Sequence, residues 1–294
     1  MRTRGTALTL AGLLLVGGAF AACGDDEGTA APATTAADGG GTAGSSCADG
    51  QTFAEGRLTI AVDEPAFPPW VLDDDPTTGQ GFEAAVGVAI ADQLGFAPDA
   101  IDWVRVPFDT VVAPGDKEFD FALNQVSFSD ERDQAVDFSE GYYDVNQAMV
   151  GPADSPAAGA TTVADLQDLK FGAQVGTTSL QFITDVIQPT EEPFVYDDNA
   201  AAKAALDAGQ IDAIVLDLPT AFYVTTEIEG TSVIGQFPSV GEVEHFGAVF
   251  AEGNPFRDCV DTAIDALKSS GELDSIQAEW LSDTVDAPVI AVDG

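Results

Sequence analysis

Arg132 stands in the run Phe119-Asp120-Phe121-Ala122-Leu123-Asn124-Gln125-Val126-Ser127-Phe128-Ser129-Asp130-Glu131-Arg132, in a chain with only 10 Lys and Arg. Its planar guanidinium offers five N–H donors that can grip a carboxylate through two parallel hydrogen bonds. The alternative is a surface pair with Glu131 or Asp133. Thr177 and Thr178 open a helix-periodic segment directly after a β-rich one. Free backbone N–H groups there favour an anion, and an ordinary N-cap would look the same. Asp217 ends another β-rich run, at the carboxyl end of a strand, where open α/β sheets take their ligands. A helix-capping Asp before Leu218-Pro219 would be equally at home. Phe67, Trp70 and Phe108 lie in loops after strands, as an apolar clamp or as core. A fork of donors, an anionic acceptor and an apolar clamp suit a small zwitterion, with Asp63, Asn124 and the carbonyl of Gln125 available for further polar contacts.

Other chemistry finds little support. His245 is the single histidine, with no Ser in an elbow motif and no Cys pair beside it, so the usual nucleophile and base arrangements are not available. The run Asp73-Asp74-Asp75 lacks the spaced ligands of a calcium loop. No dinucleotide or phosphate-loop glycine motif occurs, so neither a cofactor nor a metal is expected. The chain carries 50 Asp and Glu against 10 Lys and Arg, a formal net charge of -40. Nucleic acid is excluded as a partner, because no basic stripe can be assembled, and anionic lipid is disfavoured for the same reason. With 45% hydrophobic residues and 18 Phe the chain is nonetheless a folding one, of two domains' length and expected to be a monomer.

The elements that would position these residues alternate between strand and helix, the pattern of α/β layers around a largely parallel sheet. Strands are expected at Leu58 to Val62, Ile101 to Val106 and Phe119 to Val126. Phe82, Val86, Ile90 and Leu94 form a helical stripe from Gly81 to Leu94, closed by Gly95. A second set runs through strand Phe171 to Val175, helix Thr177 to Ile187, strand Phe194 to Tyr196, helix Asn199 to Leu206 and strand Ile211 to Leu216. The Gly- and Pro-rich break from Val150 to Gly159 suits a boundary between the sets. A strand at Phe246 to Phe250, a helix capped by Asn254-Pro255 and a last helix bearing Leu273, Ile276 and Trp280 complete the chain.

The N-terminus reads as an address. Arg2 and Arg4 precede an apolar run too short to span a bilayer, which makes residues 1–22 a signal peptide. Phe20-Ala21-Ala22-Cys23 resembles a bacterial lipobox, which makes Cys23 the lipidated first residue of the mature protein. Residues 23–55 are then a lipid-anchored linker, and its polar stretch from 24 to 46 has nothing to repay the entropy of ordering. The two remaining cysteines, Cys47 and Cys259, form an even pair in an oxidising compartment, where a disulfide is expected.

The stretch ending in Glu131-Arg132, followed by Val136-Asp137-Phe138-Ser139-Glu140-Gly141-Tyr142-Tyr143, resembles the solute-binding proteins of family 3, the polar-amino-acid branch of bacterial ABC importers. The resemblance continues at Ala66-Phe67-Pro68-Pro69-Trp70, Gly81-Phe82-Glu83, Val175-Gly176-Thr177-Thr178-Ser179, Asp212 to Asp217 and Glu252-Gly253-Asn254-Pro255, and covers nearly everything from Arg57 to Leu281. It implies a two-lobe periplasmic-binding-protein-like type II α/β fold with a hinge of two crossings. Lobe 1 would be residues 56–150 and 247–290, and lobe 2 residues 151–246. It also implies capture of an amino acid or similar small zwitterion for a permease, outside the cytoplasm, with the membrane reached only through the N-terminal lipid.

Carried over position by position, the binding set is Asp63, Phe67, Trp70, Phe108, Gln125, Ser127, Arg132, Thr177, Thr178 and Asp217. Arg132 would take the ligand's carboxylate and Asp217 its ammonium. Phe67 and Phe108 would sandwich the side chain, with Trp70 at the rim. Gln125 replaces a usual Gly and Ser127 a usual Thr, while Gln174 and Leu216 occupy positions that are charged or polar in relatives. These departures imply a pocket less tuned to a charged side chain. An enzyme on the same fold, a dehydratase or a glycan-cleaving type, is the alternative, with Glu83 and Asp63 as its candidate acid and base.

Overall fold

The structure is a computed structural model, and it describes residues 47–281 and 287–292. The expected signal peptide, the lipidation at Cys23 and the stretch from 24 to 46 lie outside these residues.

In chain order the strands are β1 (Leu58–Val62), β2 (Ile101–Arg105), β3 (Phe121–Ala122), β4 (Val136–Phe138), β5 (Tyr143–Asp144), β6 (Gln147–Pro152), β7 (Phe171–Gln174), β8 (Phe194–Tyr196), β9 (Ala213–Asp217), β10 (Thr231–Gln236), β11 (His245–Phe246) and β12 (Val249–Ala251). The α-helices are α1 (Phe82–Gln93), α2 (Phe108–Val112), α3 (Thr178–Phe182), α4 (Asn199–Asp207), α5 (Leu218–Glu227), α6 (Arg257–Ser270) and α7 (Glu272–Leu281). A π-helical turn, Ile183–Ile187, continues α3.

The strands form two five-stranded sheets, ordered β2-β1-β3-β12-β4 and β10-β6-β9-β7-β8, and a small β11-β5 pair. In the first sheet β1 runs parallel to both β2 and β3, and all five of its residues are buried, as a central parallel strand requires. Helix α1 packs its Phe82, Val86 and Ile90 into this lobe's core beside Phe250, Val260 and Leu267. Its start depends on Gly81: φ is 103°, and a Cβ there would lie 2.5 Å from the carbonyl oxygen of Trp70. In the second sheet β7 and β9 are parallel, and Ile214, Leu216 and Ala221 form one core with Ala202 and Leu206 of α4.

Several boundaries differ from the expected ones. Strand β6 pairs antiparallel with β9 and β10, so the chain enters the second lobe before Gln147, not after Val150. The Gly- and Pro-rich break marks where this strand exits the sheet. On the return, Phe246 is packed in the first lobe's core, with Trp70 and Tyr143 around its ring. The β11-β5 pair thus ties the two crossings together, reinforced by the Val145 N–H donating to Glu244 O at 2.9 Å. The segment assigned to lobe 1 as far as residue 290 also returns: Val289 bridges to Gln236 and Ala291 to Thr162, and Ile290 is fully buried in the second lobe's core. The expected linker is shorter, because Ala48 is already buried in the first lobe's core and the Phe53 N–H donates to Asp120. A disulfide joins Cys47 to Cys259 across 212 residues of sequence, with the Cα atoms 5.8 Å apart.

The expected strand Phe119 to Val126 shrinks to β3. The Asp120 carboxylate accepts from the Thr59 and Phe53 N–H groups at 2.6 Å, and Gln125 turns the chain out of the sheet at φ 47°. The single strand Phe246 to Phe250 is two, β11 and β12, separated where the Ala248 N–H donates to the Ser139 hydroxyl. Helix α6 begins at Arg257, with Asn254 Oδ1 accepting from the Phe256 N–H just ahead of it.

Candidate functional site

The carboxyl ends of β1, β3, β7 and β9 face one cavity between the lobes, and most of the candidate residues line it. Asp63 follows β1, Asn124 and Gln125 follow β3, and Phe108 and Arg132 complete the first-lobe wall. From the second lobe come Gln174, Thr177, Thr178, Ser179, Asn199, Leu216 and Asp217. The topology explains the convergence: strands of each sheet deliver their C-terminal loops to the same edge, and the two edges face each other.

Arg132 is the one basic side chain among the described residues lining this cavity. Its Nη1 donates to Ser127 O at 2.6 Å in its own lobe and Nη2 donates to Gly176 O at 2.9 Å in the other. Its Cζ sits 5.4 Å from the centre of the Phe108 ring, a cation–π contact. These bonds are to carbonyls and span the cleft, unlike the alternative surface pair with Glu131 or Asp133. Burial pushes the guanidinium pKa down, while the charges of Glu244, Asp217 and Glu131 hold it up.

Asp217 stands at the N-cap position of α5, yet its side chain makes no capping hydrogen bond. The carboxylate is left facing the cavity. Its pKa is raised well above the usual carboxylate range, first by burial and then by the nearby charges of Glu244 and Glu83, with Arg132 opposing. Asp63 is pushed up to about 6, chiefly by burial, although the Glu64 N–H donates to it at 2.9 Å and the Asn124 amide stands beside it. Asn124 is 1% exposed, and both polar atoms of its amide lack a hydrogen-bond partner. A buried amide on the cavity wall, beside the Asp63 carboxyl, is placed to bind a polar group.

Thr177 turns out to be an ordinary cap: its Oγ1 accepts from the Leu180 N–H at 3.1 Å and donates to Gln174 O at 2.8 Å. Thr178 Oγ1 accepts from Gln147 Nε2 at 3.4 Å, a long bond. Three other candidates lie off the cavity. Trp70 is fully buried in the first lobe's core against Phe82, Tyr143 and Phe246, and its Nε1 donates to Thr220 Oγ1 of the second lobe at 2.7 Å. It is a core residue that touches the other lobe, not a rim for the ligand. Phe67 faces Tyr223 with ring centres 6.3 Å apart and does not line the cavity, so the sandwich with Phe108 is not formed. Ser127 is buried and donates to Glu244 Oε1 at 2.6 Å.

Glu244 is the residue sequence reasoning missed as part of the site. Lying on the second crossing, it also accepts from Gln147 Nε2 at 3.0 Å, and Gln147 Oε1 accepts from Ser179 Oγ at 2.7 Å. One carboxylate therefore joins the first lobe, both crossings and the start of α3. No local motif marks it; only the spatial meeting of residues 127, 147 and 244 does. Glu83 is fully buried behind Gln125, does not line the cavity, and is pushed up to about 7 by burial. As an acid or base for a bound substrate it is out of reach. Asp74 and Asp75 are structural: Asp74 pairs with Arg105 and Asp75 caps the turn at Thr77.

The family model of the bacterial extracellular solute-binding proteins, family 3, matches residues 58–283. The L-arginine-binding protein of Pseudomonas aeruginosa is 27% identical over 241 residues, covering 79% of this chain and 90% of the relative. The L-cystine-binding protein TcyJ of Escherichia coli is 28% identical over 232 residues, covering 76% and 82%. Among solved structures, an ancestral arginine-binding protein bound to glutamine superposes with a TM-score of 0.66 at 26% identity, covering 78% of this chain and 99% of its own. Two α/β lobes, a doubly crossed hinge and a cleft at the strands' carboxyl ends agree with that match: the chain belongs to the bacterial extracellular solute-binding proteins, family 3.

Proposed function

We propose that this chain captures an amino acid with a positively charged or strongly hydrogen-bond-donating side chain and delivers it to the permease of an ABC importer. The observation that carries the reading is the charge imbalance of the cavity: Arg132 alone supplies positive charge, while Asp63 and Asp217 line the wall and Glu244 and Glu83 stand behind it. One carboxylate ligand group satisfies Arg132, and one ammonium satisfies Asp217. Asp63 and the unpartnered Asn124 amide then remain for the side chain, which reverses the expectation of a pocket less tuned to charge.

The relatives support this chemistry, since the Pseudomonas aeruginosa relative and the ancestral protein are both named for arginine, the latter solved with glutamine bound. Arg132 and Asp217 belong to opposite lobes, so one zwitterion would bridge the cleft and replace the Arg132 to Gly176 contact as the tie between them. Closure about the crossings near residues 145 and 244 would present the loaded form to the permease. The N-terminal sequence supports an extracytoplasmic protein held to the outer face of the membrane through a lipid on Cys23.

A thermal-shift screen of the ligand-free domain against the standard amino acids and cystine tests the proposal. Arginine or another cationic amino acid should raise the melting temperature most. Stabilisation by glutamate or aspartate alone would overturn it.

A further inference from the structure

Gln125 carries a side chain at φ 47°, in the left-handed region that glycine occupies at no steric cost, and it does so on the wall of the binding cavity. The conformation is held from behind. Glu83, in the first turn of α1, accepts from the Gln125 backbone N–H through Oε1 at 2.7 Å and from Gln125 Nε2 through Oε2. Tyr142 also donates to Oε1, at 2.5 Å. All three donors converge on one fully buried carboxylate, which additionally faces the favourable positive end of the α1 dipole. The Gln125 side chain is thereby tied back toward the core, while the amide of its neighbour Asn124 lines the cavity beside Asp63.

We propose that Glu83 is a positioning residue for the ligand: by fastening both the backbone and the side chain of Gln125, it fixes the turn that presents Asn124 to the cavity. The proposal rests on the cleft being the binding site. It assigns affinity to a residue that does not touch the ligand, and it ties the presence of a side chain at position 125 to the carboxylate at position 83.

A double-variant cycle tests this with arginine as the probe. Glu83→Leu leaves the Gln125 N–H and side-chain amide without their acceptor in the core and should weaken arginine binding about tenfold or more per folded molecule. Gln125→Gly removes the strain and the side chain together, and its own affinity for arginine is the reference for the second background. In the Gln125→Gly background only the backbone N–H bond to Glu83 remains, so adding Glu83→Leu should cost a smaller factor than in the wild-type background. An equal loss in both backgrounds, or no loss from a folded Glu83→Leu, would overturn the proposal. Glu83→Gln is the conservative control. With the Gln125 amide turned over it can still accept from the backbone N–H and pair with the side chain, so it should bind within about threefold of wild type, and a tenfold loss would count against positioning by hydrogen bonds.

Amide exchange of the peptide spanning residues 121–128, measured without ligand, keeps the arms separate. Glu83→Leu should speed it about tenfold or more in the wild-type background and by a smaller factor in the Gln125→Gly background, where only the backbone N–H bond is lost. If wild type fails to bind arginine but exchange follows this pattern, the functional reading fails and the positioning role stands; unchanged exchange in Glu83→Leu sinks the role itself.

Discussion

Carboxyl groups that the fold forces to hold their protons make the empty protein easier to unfold as pH rises. Asp63 is pushed up to about 6 and Glu83 to about 7, in both cases first by burial. In the unfolded chain both ionise near pH 4, so between pH 4 and 7 the folded state binds more protons and stability falls with increasing pH. From pH 5 to pH 8 Asp63 gives up roughly one unit's worth and Glu83 roughly two, about 3 to 4 kcal/mol together. The groups acting on Glu83 are Tyr142, Gln125 and Asp63, and the raised Asp217 pulls in the same direction. The depressed carboxyls, Asp102 and Asp165, titrate below this window and leave it unchanged. Thermal melts of the ligand-free domain at pH 5, 6, 7 and 8, in salt high enough to screen surface repulsion, should show Tm falling by roughly 6 to 15 °C. Glu83→Gln should flatten the curve above pH 6, and Asp63→Asn below it. A Tm that is flat or rises from pH 5 to pH 8 would refute the placement of these carboxyls in water-poor sites.

Ligand discrimination should follow the same charges: citrulline, which has arginine's shape without its charge, should bind about tenfold or more weakly by calorimetry, since a charged hydrogen bond becomes a neutral one. Replacing Cys47 and Cys259 together by Ser opens a loop of 212 residues and should lower the unfolding free energy by up to about 5 kcal/mol, read from denaturant midpoints. Gly235→Ala places a Cβ 2.6 Å from Ile290 Cγ1 and 2.8 Å from Pro288 O, so it should cost about 1 to 3 kcal/mol and expose residues 287–292 to amide exchange.

What sequence could and could not show follows the range of the interactions. Strand β1 and helix α1 were legible because their apolar residues repeat at the periods of a buried strand and an amphipathic helix. Arg132 and Asp217 stood out because they close local motifs. Helix α5 and strand β10 went unseen: Leu-Pro-Thr-Ala-Phe-Tyr-Val-Thr-Thr-Glu is rich in β-formers, and its helix is fixed by tertiary packing of Leu218, Ala221 and Val224. Trp70 looked like a rim aromatic because nothing local says that Phe82, Tyr143 and Phe246 surround it. Phe67 and Ser127 were assigned by position in a pattern, whereas their neighbours Tyr223 and Glu244 come from the other lobe and the second crossing. The roles of Glu83 and Glu244 depend on contacts over 42 and 117 residues of sequence, which no spacing rule reaches.

The central claim is that one zwitterion is held between Arg132 and Asp217 across the cleft. Calorimetric titration of wild type, Arg132→Lys and Asp217→Asn with the amino acid that stabilises wild type most tests it directly, with circular dichroism to establish that each variant is folded. Lysine keeps the charge but loses the fork, and asparagine keeps the shape but loses the charge facing the ammonium. Each should weaken binding roughly ten- to 150-fold, the worth of a charged hydrogen bond. If both folded variants bind within about threefold of wild type, the ligand is held elsewhere and the account is wrong at its centre.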